Sequence, residues 1–146
     1  RSVLQNIKNS LKSGGLFIGT TLDGSKIFDS LVSNNYISEY INENLIWKIT
    51  KKYENDYFSD DNSSLGYPID VYMETIGKTY TEYLVNFNYL ENILPEYGLQ
   101  LKELIDFEDI FNRLKSEDIT FGNALDMNGK LKKYSFMNKC FIIEKI

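Results

Sequence analysis

The 146-residue chain has no histidine, one cysteine, two prolines and one tryptophan. Without imidazole there is no Ser-His-Asp triad, no histidine metal site and no histidine proton shuttle near neutral pH. The single Cys140 excludes an internal disulfide, and its apolar flanks read as a small core residue rather than a nucleophile. No apolar run reaches membrane-spanning length and no signal peptide is recognisable, so no membrane contact and a reducing, cytoplasmic setting are the expectation. Positive charge is also scarce: 16 Lys and Arg against 21 Asp and Glu leave a net charge of −5. That balance excludes a general electrostatic grip on nucleic acid and leaves room only for local contacts. P-loop, GxGxxG, CxxC and GxSxG patterns are all missing. The acidic stretch Glu54 to Leu65 lacks EF-hand spacing, so it reads as a solvated loop and no metal is expected.

What is there belongs to a folded protein: 42% of residues are hydrophobic and 14% aromatic, enough to offset the entropy of ordering. Val3, Ile7 and Leu11, with Leu4, recur at helical spacing, Gly14-Gly15 closes that helix, and Leu16 to Thr20 reads as a buried strand. Helix, glycine pair and buried strand make half of a βαβ unit, so the preceding strand is expected upstream of Arg1 and the visible start looks cut. A second helix, about Ser25 to Ser33, buries Ile27, Phe28, Leu31 and Val32. Tyr36 to Ile41 and Leu45 to Tyr53, joined at Asn42-Glu43-Asn44, form an expected antiparallel hairpin. Ile69, Val71 and Met73 alternate in a strand from Pro68, and Thr79 to Phe87 reads as a connection. Asn88 with Glu91 has the form of an N-cap for a short helix carrying Leu90, Ile93 and Leu94, ended by Pro95 and Gly98. Leu99 to Ile105 is a strand, Asp106 caps a helix bearing Phe107, Ile110, Phe111 and Leu114, Ser116 to Lys133 is a polar excursion, and Cys140 to Glu144 is the last strand.

Two stretches carry more than fold. LKSGGLFIGTTLDG, ending at Gly24, and TYTEYLVNFNYLENILPEYGL, Thr79 to Leu99, are followed by QLKELIDFEDIF and the closing SFMNKCFIIEKI. Together they resemble the C-terminal half of messenger-RNA cap (guanine-N7) methyltransferases, whose pattern runs roughly LxPGGxFIGTxPD, PEYLVxFxxLxxLAxxYGLELV and a last strand ending FxK. The likeness covers nearly the whole chain apart from the hairpin and the loop around Asp60. Leu22-Asp23-Gly24 in place of Pro-Asp, and a last strand without the cellular tyrosine, look more like the enzymes of large DNA viruses.

That resemblance implies an α/β, class I methyltransferase sheet, of which residues 1–146 supply the C-terminal portion of one domain, with an inserted antiparallel hairpin and a reversed final strand. It implies S-adenosylmethionine as cofactor, held mainly in a preceding half that carries the glycine-rich loop. It also implies a capped RNA 5′ end as partner, together with the remaining methyltransferase segment and a stimulatory subunit or other capping domains. Glu82 matches the family glutamate that accepts hydrogen bonds from the guanine Watson–Crick edge. Asn138 stands where cellular relatives place a cap-contacting tyrosine, and Phe136 or Phe141 would replace its stacking face; packing within the strand is the competing reading for all three. Leu22, after the FIGT strand, is placed to touch guanine or ribose, with loop packing as its alternative. Tyr80 and Tyr83 flank Glu82, and Lys12, Lys48, Lys51 and Lys52 are available to phosphates or simply solvated. An alternative function is a non-catalytic, methyltransferase-like subunit that stimulates a capping enzyme.

Overall fold

The computed structural model describes residues 2–117 and 129–146, an α/β arrangement with two antiparallel sheets. Helix α1 (Ser2–Ser10) leads through Gly14, at φ 73°, into β1 (Leu16–Leu22), and α2 (Gly24–Leu31) follows. Strands β2 (Tyr36–Ile41), β3 (Asn44–Lys51), β4 (Pro68–Met73) and β5 (Lys78–Tyr83) form one sheet in simple sequential order. Then come α3 (Phe87–Ile93), β6 (Leu99–Asp106), α4 (Phe107–Glu117), α5 (Gly129–Ser135) and β7 (Asn138–Lys145). Most of the expected excursion from Ser116 to Lys133 lies outside the described residues.

The second sheet has the order β1-β7-β6, with β7 antiparallel to both neighbours. The final strand is therefore reversed, as expected, and sits between two strands that run the same way. The register pairs Leu16 with Glu144 and Leu22 with Asn138. Lys145 ties the far end down, its Nζ donating to the carbonyls of Lys8 and Leu11 at 2.8 and 2.7 Å.

Two cores result. Leu4 and Ile7 of α1 pack with Leu94, Leu99 and Ile143 on one face of the β1-β7-β6 sheet. The larger core lies between α2 and the four-stranded sheet, where Ile27, Leu31, Trp47, Ile49 and Ile69 are almost completely buried. Each such side chain contributes roughly 1.5–3 kcal/mol relative to exposure.

Three expectations need correction. The expected antiparallel hairpin is present as β2-β3, but it is part of a four-stranded meander: the segment read as a connection contains β5, which pairs with β4 from Pro68–Tyr83 to Met73–Lys78. All six β5 residues are exposed, so the strand has no apolar alternation to betray it. The N-cap of α3 is Asn86, whose Oδ1 accepts from the Tyr89 N–H at 2.9 Å, whereas Asn88 donates to Asp60 at 3.1 Å. Finally, β1 is not buried on both faces. Leu16 and Ile18 are 46% and 61% exposed, because no described element covers that side and β1 forms one edge of its sheet.

Candidate functional site

The carboxyl end of β1 is where distant parts of the chain converge. Asp23 is only 5% exposed. It caps α2 by accepting from the Ser25 N–H at 3.1 Å, and its second oxygen meets Lys139 Nζ at 3.2 Å. Its own N–H donates to the Met137 carbonyl at 2.8 Å, which locks the turn to the start of β7. The next residue, Gly24, donates to the Val85 carbonyl at 3.1 Å. A Cβ on Gly24 would stand 2.4 Å from that oxygen, so only glycine permits the approach. Val85 belongs to the turn between β5 and α3, just after Glu82. The Leu22-Asp23-Gly24 turn thus sets β5 against β7, a role that residue patterns did not reveal because both partners are remote in sequence.

Glu82 lies on β5 directly across from Ile69, which is 1% exposed. Residues paired across an antiparallel ladder project from the same face. Glu82 therefore belongs to the core-facing side of the meander, with Val71 and Ile49 in the adjacent row. Yet it sits on the edge strand, beyond the cover of α2, and remains exposed. Among the described residues its carboxylate has neither a hydrogen bond nor an ion pair. Nearby is the phenol of Tyr134, whose pKa is pushed up first by burial and then by the Glu82 charge. Tyr134 packs against Trp47 with ring centroids 5.7 Å apart.

The remaining sequence-derived candidates occupy different surroundings. Leu22 is 5% exposed and packs into the larger core, opposite Asn138 in the β1-β7 register. The Asn138 amide donates to the carbonyls of Tyr134 and Ser135 at 3.1 and 3.2 Å, closing the end of α5. Phe136 packs edge-on against Phe111 at 5.5 Å in an apolar cleft of about 210 Å³ between α4 and α5. Phe141 covers Gly19, with Phe17 and Phe87 at 6.0 and 5.9 Å. The structure thus brings Leu22 and Asn138 together, draws Tyr134 to Glu82, and keeps Phe136 and Phe141 in separate clusters. Tyr80 and Tyr83 are 48% and 61% exposed. Three of the lysines have partners: Lys48 lies over the Tyr36 ring, Lys51 over Tyr53, and Lys52 pairs with Asp70 at 3.2 Å.

The β1-β7-β6 sheet with its reversed middle strand, tied through the Gly24–Val85 contact to the end of β5, defines an α/β module with an unpaired carboxylate on its meander. The chain belongs to the mRNA (guanine-N(7))-methyltransferase domain family, whose model matches residues 1–136. It is 36% identical over 121 residues to a probable mRNA-capping enzyme of Acanthamoeba polyphaga mimivirus, covering 77% of this chain and 10% of that protein. It is 30% identical to the mRNA cap guanine-N(7) methyltransferase of Candida albicans, over 77% of this chain and 25% of the relative. The corresponding protein of Saccharomyces cerevisiae is 32% identical over 76% of the chain and 26% of its own length. The chain therefore spans between a tenth and about a quarter of these relatives.

Membership implies S-adenosylmethionine as methyl donor. Gly14, Gly66, Gly77 and Gly98 take positive φ at turns with open space beside them, while Gly15, Gly19 and Gly24 are packed against the chain's own atoms.

Proposed function

We propose that residues 1–146 form the C-terminal portion of a methyltransferase domain that methylates N7 of the 5′ cap guanine of mRNA. The methyl donor, S-adenosylmethionine, would be held mainly by a preceding segment that continues the sheet from the free edge of β1. An open apolar groove of about 420 Å³, lined by Val3, Leu4, Ile7, Phe17, Tyr83 and Tyr89, runs beside that edge and supports this reading. The lone free Cys140 and the viral relative fit a cytoplasmic site of action.

The observation that carries the substrate assignment is the unpaired Glu82 carboxylate on the edge strand of the meander, on the face that carries Ile69, Val71 and Ile49. Guanine N1–H and N2–H are adjacent donors, and one carboxylate accepts both. N7 carries a lone pair and no proton, so its methylation needs no general base; this suits a chain without histidine. What the protein must supply is orientation, and Glu82 fixes the base from the edge opposite its reacting nitrogen. Charge also favours the outcome, because the cationic methylated ring binds the carboxylate more strongly than neutral guanine does.

Glu82→Gln in the full-length protein tests the assignment. A charge-assisted pair is worth about 1.5–3 kcal/mol, so cap kcat/KM should fall roughly 10- to 150-fold with unchanged affinity for S-adenosylmethionine. A change within twofold would remove Glu82 from the cap site.

A further inference from the structure

Helix α5 divides two surroundings. On one side the Lys130 carbonyl accepts from Trp47 Nε1 at 3.0 Å, Lys133 pairs with Glu39 at 2.7 Å, and Tyr134 packs on Trp47, so this side meets the meander. Lys132 and Phe136 lie round the helix on the other side and, with Phe107, Ile110 and Phe111 of α4, line the cleft of about 210 Å³. Lys26 of α2 ties the two walls together: its Nζ pairs with Asp106 at the foot of α4 and donates to the Phe136 carbonyl at 3.3 Å, just past the end of α5. The cleft is thus built from three segments. It stands at the carboxyl end of β6 and beside the start of β7, the end of an α/β sheet at which ligands bind.

Size and chemistry narrow the occupant. Sites for drug-sized ligands span roughly 300–1,000 Å³, so this cleft suits a single flat ring. Phe111 and Phe136 supply aromatic surface, with ring centroids 5.5 Å apart. Two ammonium groups lie over the Phe111 ring, Lys132 at 4.9 Å and Lys115 at 5.9 Å, and among the described residues neither has an ion pair. The acids Glu108 and Asp109 belong to the first turn of α4, the end opposite Lys115. Aromatic surface bordered by two uncompensated cations complements a nucleotide, base on ring and phosphate on ammonium. An apolar peptide would leave both charges unused. A charge-assisted phosphate contact is stronger than an exposed cation–π contact, so the lysines exchange ring for phosphate when a nucleotide enters.

Resting on the reading of the chain as part of a cap methyltransferase, we propose that the cleft between α4 and α5 holds the base of the first nucleotide joined to the cap, stacked on Phe111, with its flanking phosphates on Lys115 and Lys132. A helix with its side chains is about 10–12 Å across, so RNA whose cap lies on the meander side reaches the cleft by crossing one helix width. Stacking accepts any base, which suits a site that must take any transcript.

The test uses the full-length protein with S-adenosylmethionine and two acceptors, a capped pentanucleotide and the same RNA with an abasic ribose in first position. GTP, which carries guanine and triphosphate without the next nucleotide, serves as competitor. The wild-type enzyme should lose roughly 5- to 150-fold in kcat/KM, through KM, when the base is removed, the worth of one stacked base, and should vary little among the four bases. Phe111→Leu keeps apolar volume but no flat ring. It should lose most of that factor on normal RNA and cease to distinguish it from the abasic form, with the GTP inhibition constant unchanged. Lys115→Gln combined with Lys132→Gln should flatten the dependence of log KM on log salt by about 1.4, two phosphate contacts on a single strand. Full discrimination between normal and abasic RNA by Phe111→Leu, or an unchanged salt slope in the double variant, would overturn the inference and leave the cleft to an apolar peptide. Weakened GTP inhibition in Phe111→Leu would overturn it as well, because the damage would then reach the guanine site. Glu82→Gln separates the two readings, since it should weaken GTP and both RNAs alike. If it weakens none of them while Phe111→Leu behaves as expected, the guanine assignment of Glu82 fails and the cleft stands.

Discussion

Gly24→Ala puts two opposing effects in direct competition. Alanine favours helix over glycine by up to about 1 kcal/mol, and Gly24 is the first residue of α2, so propensity alone would stabilise the variant. The surroundings oppose it. The added Cβ would lie 2.4 Å from the Val85 carbonyl oxygen and 2.8 Å from its carbonyl carbon and nitrogen, all backbone atoms. A carbon–oxygen contact relaxes only near ~3.3 Å, so the β5–α3 turn must retreat by about 1 Å. Overpacking of this kind costs about 1–3 kcal/mol, and loss of the 3.1 Å Gly24–Val85 hydrogen bond adds about 1 kcal/mol. The clash wins, with net destabilisation of roughly 1–3 kcal/mol. For a cooperative unit of this size that corresponds to a Tm lowered by about 3–10 °C, readable by calorimetry on the full-length protein. Because the displaced turn continues directly from the strand that carries Glu82, KM for capped RNA should rise alongside on the proposed function. Gly129→Ala serves as the control: its added Cβ meets nothing within 4 Å at the start of α5, so it should be neutral or slightly stabilising. A Gly24→Ala protein with wild-type Tm and wild-type KM would refute the view that this contact positions the site.

Other outcomes follow from the two cores and the open sheet edge. Tyr53 has a buried hydroxyl with no partner among the described residues, and burial pushes its pKa up to about 12. The folded-state value is raised, so its stability contribution is complete below about pH 10 and declines as pH rises towards 12; Tyr53→Phe should flatten alkaline denaturation in that window and raise Tm at neutral pH by the equivalent of about 1 kcal/mol. The isolated 146-residue chain should self-associate through the unpaired edge and exposed Ile18 of β1, and Ile18→Lys should shift sedimentation towards monomer; a monomeric parent chain would contradict this.

How much could be read in advance depended on where each signal resides. The stripe of Ile27, Phe28 and Leu31, and the alternation of Ile69, Val71 and Met73, announced α2 and β4 because both elements bury one face. Strand β5 was missed because Thr79, Thr81 and Tyr83 project from one side and Tyr80 and Glu82 from the other, all exposed. Its sole local mark is the turn at Gly77, φ 67°, which follows β4. The cap of α3 slipped by two positions because Asn86 and Asn88 have the same side chain and differ only in which one meets the helix and which meets Asp60. Leu16 to Thr20 looked buried because an apolar run says nothing about whether both covering layers are present. At the site, Glu82 stood out only through the family pattern around it. Asp23, Gly24 and Tyr134 act through partners in other segments, such as Lys139, Val85 and Trp47, and no local spacing encodes those meetings.

The order β1-β7-β6 has a consequence for synthesis. The strand at the middle of this sheet is the last of the three to leave the ribosome, so β1 and β6 emerge with a vacancy between them. Until Met137 to Lys145 arrives, Leu22 lacks its strand partner, Asp23 lacks both Met137 and Lys139, and Tyr134 has no amide closing its helix. A message truncated shortly before that point would therefore yield a product without an assembled site, however complete its remaining elements. The reversed strand makes assembly of the turn at Asp23 and Gly24 contingent on translation having run through the closing strand.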